Sequence, residues 1–176
     1  MFSDFKQFVP QAVCLACDGC CRFLEEGSPW RPRLSEEETK TAPGEAPGPA
    51  AREVDGRGYI RAVPFGENYR CLFLEPAGNA CRIYSSRPFE CRFYPFLLIK
   101  KEGKAMVGAH LNCPYIQQKK GTLEWSAYLE YLEKYLHRRD VRDFIRSGWP
   151  QWGGEPGEQN ECETLFPLKL SGPADK

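Results

Sequence analysis

Apolar residues are unevenly spaced along this chain, and the changes in spacing mark out segments of different expected structure. Up to about residue 34 they are few, and Cys14, Cys17, Cys20 and Cys21 stand among them with little else to fold around. The order of that segment is therefore expected to depend on a metal bound by its thiols. Ser35-Glu36-Glu37-Glu38 has the form of a capping box, in which the serine oxygen and the third glutamate satisfy orphan amides at a helix start. The helix is expected to be short, because Pro43, Gly44, Pro47, Gly48 and Pro49 follow; residues 42–52 read as a flexible surface loop.

From Gly58 the pattern turns to strand, with residues 59–63 and 69–74 rich in β-branched and aromatic side chains. Residues 75–79 read as a turn and 81–84 as the returning strand of a hairpin. Ser85, Ser86 and Pro88 suit the first turn of a helix carrying residues 89–93, which Pro95 ends. Residues 96–100 and 104–110, separated by Glu102-Gly103, form a second hairpin leading into Cys113-Pro114. The clearest helix starts near Thr122, where Leu123, Tyr128, Leu129, Leu132, Tyr135 and Leu136 follow helical spacing over the remaining core. Asp140 is placed to cap a short helix through Val141, Phe144 and Ile145, stopped by Gly148. The fold class is thus α+β, a small irregular cysteine-rich metal-binding domain with short β-hairpins and a C-terminal amphipathic helix. A single domain is expected over residues 1–148, with an irregular tail over 149–176 that is mostly turn-forming and acidic apart from the apolar run 165–170.

Charge adds little, since 24 basic and 24 acidic side chains balance. Nothing in that balance calls for nucleic acid or an anionic membrane. No window approaches the roughly 18–20 apolar residues of a membrane span, and the first residues lack a basic region followed by an apolar stretch. The chain reads as cytoplasmic, neither exported nor membrane-embedded.

That placement decides what nine cysteines mean. Reduced compartments disfavour disulfide frameworks, so clustered thiols there serve as metal ligands or redox groups. Cys14, Cys17 and Cys20 have the spacing that supplies three ligands of a cubane cluster in bacterial ferredoxins, and Cys113-Pro114 has the form of the distant fourth. Asp18-Gly19 offers a residue able to adopt positive φ, exposing amides toward sulfur. Cys20 and Cys21 are adjacent and cannot easily both face one ion, so they are assigned to different sites or one stands behind the other. Cys71, Cys81, Cys91 and Cys113 form the second set, the first three with nine residues between neighbours. Eight thiols permit two four-cysteine sites, for zinc or for an iron–sulfur cluster, which ligand identity alone does not separate. Such a site carries roughly two negative charges, and Arg82, Arg87 and Arg92 stand beside or near its cysteines as counter-charges; an anionic partner or ion pairs with Glu75 and Glu90 are their other roles. Cys162 stands apart as a bystander in the tail. His110 is read as structural ahead of any ligand role, and His137, between a helix end and Arg138, as a dipole-favoured surface residue.

The run from Cys14 to Cys21, then Cys71-Leu72-Phe73-Leu74, Cys81-Arg82-Ile83-Tyr84, Arg87-Pro88, Cys91-Arg92-Phe93-Tyr94-Pro95 and Cys113-Pro114, resembles the YkgJ-like CxxCxxCC family of zinc- or iron-chelating proteins. The resemblance covers residues 13–114 and implies chelation by the eight cysteines Cys14, Cys17, Cys20, Cys21, Cys71, Cys81, Cys91 and Cys113. Flagellin lysine methylases contain a related cysteine-rich region. This chain shows no Gly-rich strand-to-helix turn of a methyl-donor site, so that activity is not carried over. The leading function is a metal-binding module holding iron, as an iron–sulfur cluster, or zinc. The alternatives are an iron–sulfur-dependent redox or transfer enzyme and a zinc-stabilised interaction module without catalysis.

Overall fold

Strand alternation and helical periodicity each set a distinct part of the molecule. The computed structural model describes residues 2, 4–17, 19–35, 38, 53–147 and 162–170; the loop expected at 42–52 and the helix stop at Gly148 lie outside them. The class is α+β, and the chain divides into two compact units, Met1–Arg92 and Phe93–Lys176.

In the first unit, strands β1 (Arg22–Phe23), β2 (Ala62–Phe65) and β3 (Asn68–Cys71) form an antiparallel sheet in the order β1-β3-β2. Gly66, at φ 62°, turns β2 into β3 in the left-handed region that glycine enters without steric cost. The apolar stretches therefore pair differently from the expected hairpin. Tyr59 and Ile60 form only isolated bridges, to Arg33 and Val54, and β3 stops at Cys71, beyond which the Leu72 amide turns to Arg61 O at 3.0 Å. What remains of that hairpin is two residues wide, β4 (Leu74–Glu75) against β5 (Ala80–Cys81). Phe23, Leu34, Ile60, Ala62, Cys71, Phe73, Leu74 and Ile83 are the buried cluster that these strands enclose.

The N-terminal segment is better anchored than its sparse apolar content suggests. Phe5, Phe8 and Val9 are buried, the Phe5 ring meets Phe89 edge-on at 4.8 Å, and Arg92 Nη1 donates to Phe2 O at 2.9 Å. It then runs into helix α1 (Gln11–Ala16). The capping box forms as read: Ser35 N donates to Glu38 Oε2 at 2.9 Å and Glu38 N to Ser35 Oγ at 3.1 Å. Glu38 does more than close its own helix start, because its Oε1 also accepts from Phe89 N at 2.6 Å, the first amide of helix α2 (Phe89–Phe93). Ser86 Oγ meanwhile turns back to Ile83 O, the residue that precedes the 3₁₀ turn Tyr84–Ser86.

In the second unit β6 (Phe96–Lys101) and β7 (Lys104–His110) pair from Phe96↔Ala109 to Lys101↔Lys104. Glu102 and Gly103 join them with φ 51° and 75°, both positive, as a two-residue turn matching strand twist requires. The far edge of β7 carries β8 (Cys162–Pro167), so the apolar run after 164 belongs in part to a sheet. Helices α3 (Pro114–Lys119), α4 (Leu123–Leu136) and α5 (Arg139–Arg146) follow β7 in sequence. Thr122 caps α4, accepting from Trp125 N at 3.2 Å, and α4 buries Trp125, Leu132, Tyr135 and Leu136. Phe96 stacks on Trp125 and Tyr128 at 5.8 and 5.4 Å. Leu123 is 90% exposed, against expectation. It lies nine positions before Leu132, about two and a half turns, and so on the opposite face. Arg138, not Asp140, is the N-cap of α5; Asp140 sits in its first turn and pairs with Arg138 Nη2 at 2.7 Å. Among the described residues no helix is long and apolar enough to cross a membrane.

Candidate metal centre

Three cysteines of the first unit meet at its hydrophobic cluster because of strand pairing. Cys71 ends β3 opposite Ala62, and its amide donates to Cys21 O at 2.8 Å, so the pairing of β1 with β3 brings the end of the N-terminal cysteine run to the cluster. Cys81 ends β5 opposite Leu74. Cys71 is buried within the cluster, and Cys21 and Cys81 pack against it. Cys91 lies on α2, whose first turn is held from both sides: Glu38 accepts from Phe89 N, and Glu90 accepts from the Arg33 amide. Burial, with the Glu38 charge adding to it against the Arg33 amide, pushes Glu90 up to about 7.

Burial pushes Cys71 up to about 12, with the Cys21 and Cys81 charges adding to it. A hydrogen bond with Cys20, then burial, raises Cys21 well above a free thiol. Burial leads for Cys81 and Cys91, each raised further by Cys21 and, for Cys91, by Cys71. Without a cation, these groups are held as neutral thiols; a bound dication reverses that preference, since it draws protons off the sulfurs it binds. Among the described residues no three His, Cys, Asp or Glu side chains converge as they would around one ion. The donor chemistry nonetheless fits a thiophilic metal: soft sulfur ligands, apolar walls and nearby guanidinium groups.

Arg87 lowers the cost of charge at Cys21, Cys81 and Cys91, Arg82 at Cys81, and Arg22 at Cys21. Arg22 was not singled out from sequence, although it follows Cys21 just as Arg82 follows Cys81; its Nη2 donates to Asn79 Oδ1 at 2.7 Å. Arg82 donates to Leu72 O at 2.7 Å. Arg92 instead faces Phe2 O and the Phe89 ring.

The remaining N-terminal thiols are more open. Cys14 is on α1, Cys17 is its C-cap, and Cys20 is exposed. The Gly19 amide donates to Cys17 Sγ at 3.4 Å; Asp18 lies outside the described residues. Cys113 belongs to the second unit, where it is buried at the N-cap of α3 and its amide donates to His110 O at 3.3 Å. Spacing groups Cys71, Cys81 and Cys91 with Cys113; in the first unit Cys21 and Cys81 pack against the cluster that holds Cys71. His110 Nδ1 shares a 2.8 Å hydrogen bond with Tyr94 Oη. His137 Nδ1 bonds Glu133 O at 2.8 Å while its Nε2 faces the Lys169 amide at 3.4 Å, in keeping with a structural role at the end of α4. Cys162 is half-buried at the start of β8, in register with His110.

The model of the CxxCxxCC family, described as a putative zinc- or iron-chelating domain, matches residues 13–126. No curated protein and no solved structure matches the chain.

Proposed function

The chain belongs to the CxxCxxCC family of zinc- or iron-chelating domains, and we propose that it is a metal-binding protein holding iron, as an iron–sulfur cluster, or zinc on cysteine thiolates. The ligands are drawn from Cys14, Cys17, Cys20, Cys21, Cys71, Cys81, Cys91 and Cys113, with Cys21, Cys71, Cys81 and Cys91 as one group. The observation that carries this is the gathering of three cysteines at one apolar cluster, Cys71 buried within it and Cys21 and Cys81 partly buried against it. Isolated buried cysteines serve as small apolar residues. Several gathered at one cluster offer soft sulfur donors to a thiophilic cation, which would draw off their protons on binding. Arg22, Arg82 and Arg87 offset the charge that a four-thiolate centre retains.

Iron–sulfur chemistry would supply electron transfer, whereas zinc would supply a closed structural cross-link. Anaerobic purification of untagged protein, with metal and acid-labile sulfide analysis, separates them: iron with matching sulfide and broad visible absorption against colourless protein with stoichiometric zinc. Cys81→Ser and Cys17→Ser are expected to lose metal and soluble yield, and Cys162→Ser to change neither. Equal metal content in all three variants would sink the ligand assignment.

A further inference from the structure

Hydrogen bonds from Leu34 N to Gly58 O at 2.9 Å and from Ile60 N to Pro32 O at 2.8 Å flank the bridge Arg33↔Tyr59. They lay residues 31–34 antiparallel to 58–61. Alternate residues of paired segments share a face. Leu34 and Ile60 take the buried one, which leaves Arg31, Arg33, Tyr59 and Arg61 on the other. The turn closed by Gly58 N donating to Asp55 O adds Arg57. Three guanidiniums thereby gather round one ring: the central carbons of Arg31, Arg33 and Arg57 stand 5.1, 6.0 and 5.5 Å from the centre of Tyr59. Arg31 and Arg61 also line a cavity of about 330 Å³ with Glu26, Gly27, Asp55 and Ala62.

The charges of these three guanidiniums are not all compensated. Arg31 is paired with Asp55 at 3.0 Å and is only 8% exposed. Glu90 accepts from the Arg33 backbone amide, while the Arg33 guanidinium turns to a neutral group, its Nε donating to Arg57 O at 3.0 Å. Among the described residues neither Arg33 nor Arg57 has a carboxylate within ion-pairing distance of its guanidinium. A carbonyl and an aromatic ring thus hold two positive charges at the surface, Arg57 exposed and Arg33 half-buried.

A guanidinium presents a planar fork that takes carboxylate or phosphate oxygens two at a time. What carries those oxygens follows from the size and sign of the surface. A duplex brings one charge per about 1.7 Å of its axis and is held through several phosphate contacts. Here two guanidiniums are open, and the Asp55 and Glu26 carboxylates of the adjoining cavity would repel the rest of such a backbone. Tyr59, already engaged by three guanidiniums, is a poor platform for stacking a base. A short protein segment with acidic side chains matches the surface, the mode by which arginine clusters read acidic motifs.

We propose that the face around Tyr59 is a docking surface for an acidic segment of a partner protein, whose carboxylates are taken by the Arg33 and Arg57 guanidiniums. None of the thiols takes part, so this surface stands apart from the metal reading.

The test titrates the full chain into a fluorescein-labelled peptide of alternating glutamate and glycine, followed by anisotropy, with the glutamine–glycine peptide as control. The glutamate peptide is expected to bind and the glutamine peptide not to. Arg33→Gln and Arg57→Gln should each weaken binding about tenfold, the worth of a hydrogen bond to a charged group. Arg139→Gln, at a well-exposed position of the second unit, should leave it unchanged. Arg57→Lys keeps the charge but loses the fork, and should fall between wild type and Arg57→Gln. Urea unfolding reports whether each variant keeps its fold; should Arg33→Gln be destabilised, the two variants of the exposed Arg57 carry the test. No difference between the glutamate and glutamine peptides, or a glutamate peptide bound alike by wild type and Arg57→Gln, overturns the proposal. So does an oligothymidine strand bound more tightly than the peptide through the same two arginines, which would make this a surface for nucleic acid.

Discussion

Asp55 shows how much a single side chain organises in the first unit. Burial works against its ionisation, but the amides of Tyr59 and Arg57 and the Arg31 guanidinium together hold it below the ordinary 3.8. Its Oδ1 accepts from Arg57 N at 2.9 Å and Tyr59 N at 3.0 Å, while Oδ2 pairs with Arg31, which is only 8% exposed. Asp55→Asn leaves that guanidinium without its counter-charge, and is expected to cost about 1–3 kcal/mol in urea unfolding. The sign with pH follows from the lowered value: the contribution of Asp55 is complete above the ordinary carboxylate pKa and is lost as pH falls through the folded one. The wild type should therefore lose its advantage over Asp55→Asn on acidification below about pH 4. A stability difference that stays constant down to about pH 2 would contradict this. The residues around Asp55 were not legible as a unit, because the bridges beside them, Arg33↔Tyr59 and Val54↔Ile60, are isolated residue pairs with no periodicity to read.

Elements whose contacts are local were the easiest to read. The hairpin of β6 and β7 announces itself by two apolar runs around Glu102-Gly103, and α4 by its cap and its stripe. Thr122→Ala should cost about 1 kcal/mol, the usual worth of an N-cap, and Thr122→Ser should restore most of it, checked by chemical denaturation. Gly108 tests the edge that sequence did not foresee. A methyl group there would come within 3.2 Å of Glu163 O on β8 and of Ile99 Cδ1, at the irregularity between Val107 and Gly108. Gly108→Ala is expected to destabilise by about 1–3 kcal/mol, as overpacking does, and to raise hydrogen exchange along β8. Unchanged exchange there would argue against the β7–β8 pairing. The short elements of the first unit were the hardest: β1, β4 and β5 are two residues each, too short for any periodicity to reveal.

At the scale of the whole molecule, Cys21, Cys71, Cys81 and Cys91 all fall in the first unit, while the second has its own core of Leu98, Val107, Ile116, Leu132, Leu136 and Val141. Removing metal anaerobically with a chelator should therefore abolish the amide protection of β1, β2 and β3 and leave that of β6, β7 and α4 largely intact. Uniform loss across both sets would mean that the two units open together. The N-terminal segment gives a graded expectation, because Phe5, Phe8 and Val9 hold it by apolar contact as well as through the cysteines that follow. By itself, the sequence determined the α+β class, the long helix, the capping box, the second hairpin and the cysteine repertoire of the chelating family. These depend on spacing within a few residues, where local sterics and hydrogen bonding decide. Only the tertiary structure decided that Cys21 and Cys81 pack against the cluster that buries Cys71, that Arg92 reaches Phe2 O, and that Gln7 reaches Arg87. Such partners lie tens of residues apart, and the chain pays loop-closure entropy to join them only when strand pairing and burial of apolar surface return more than it costs.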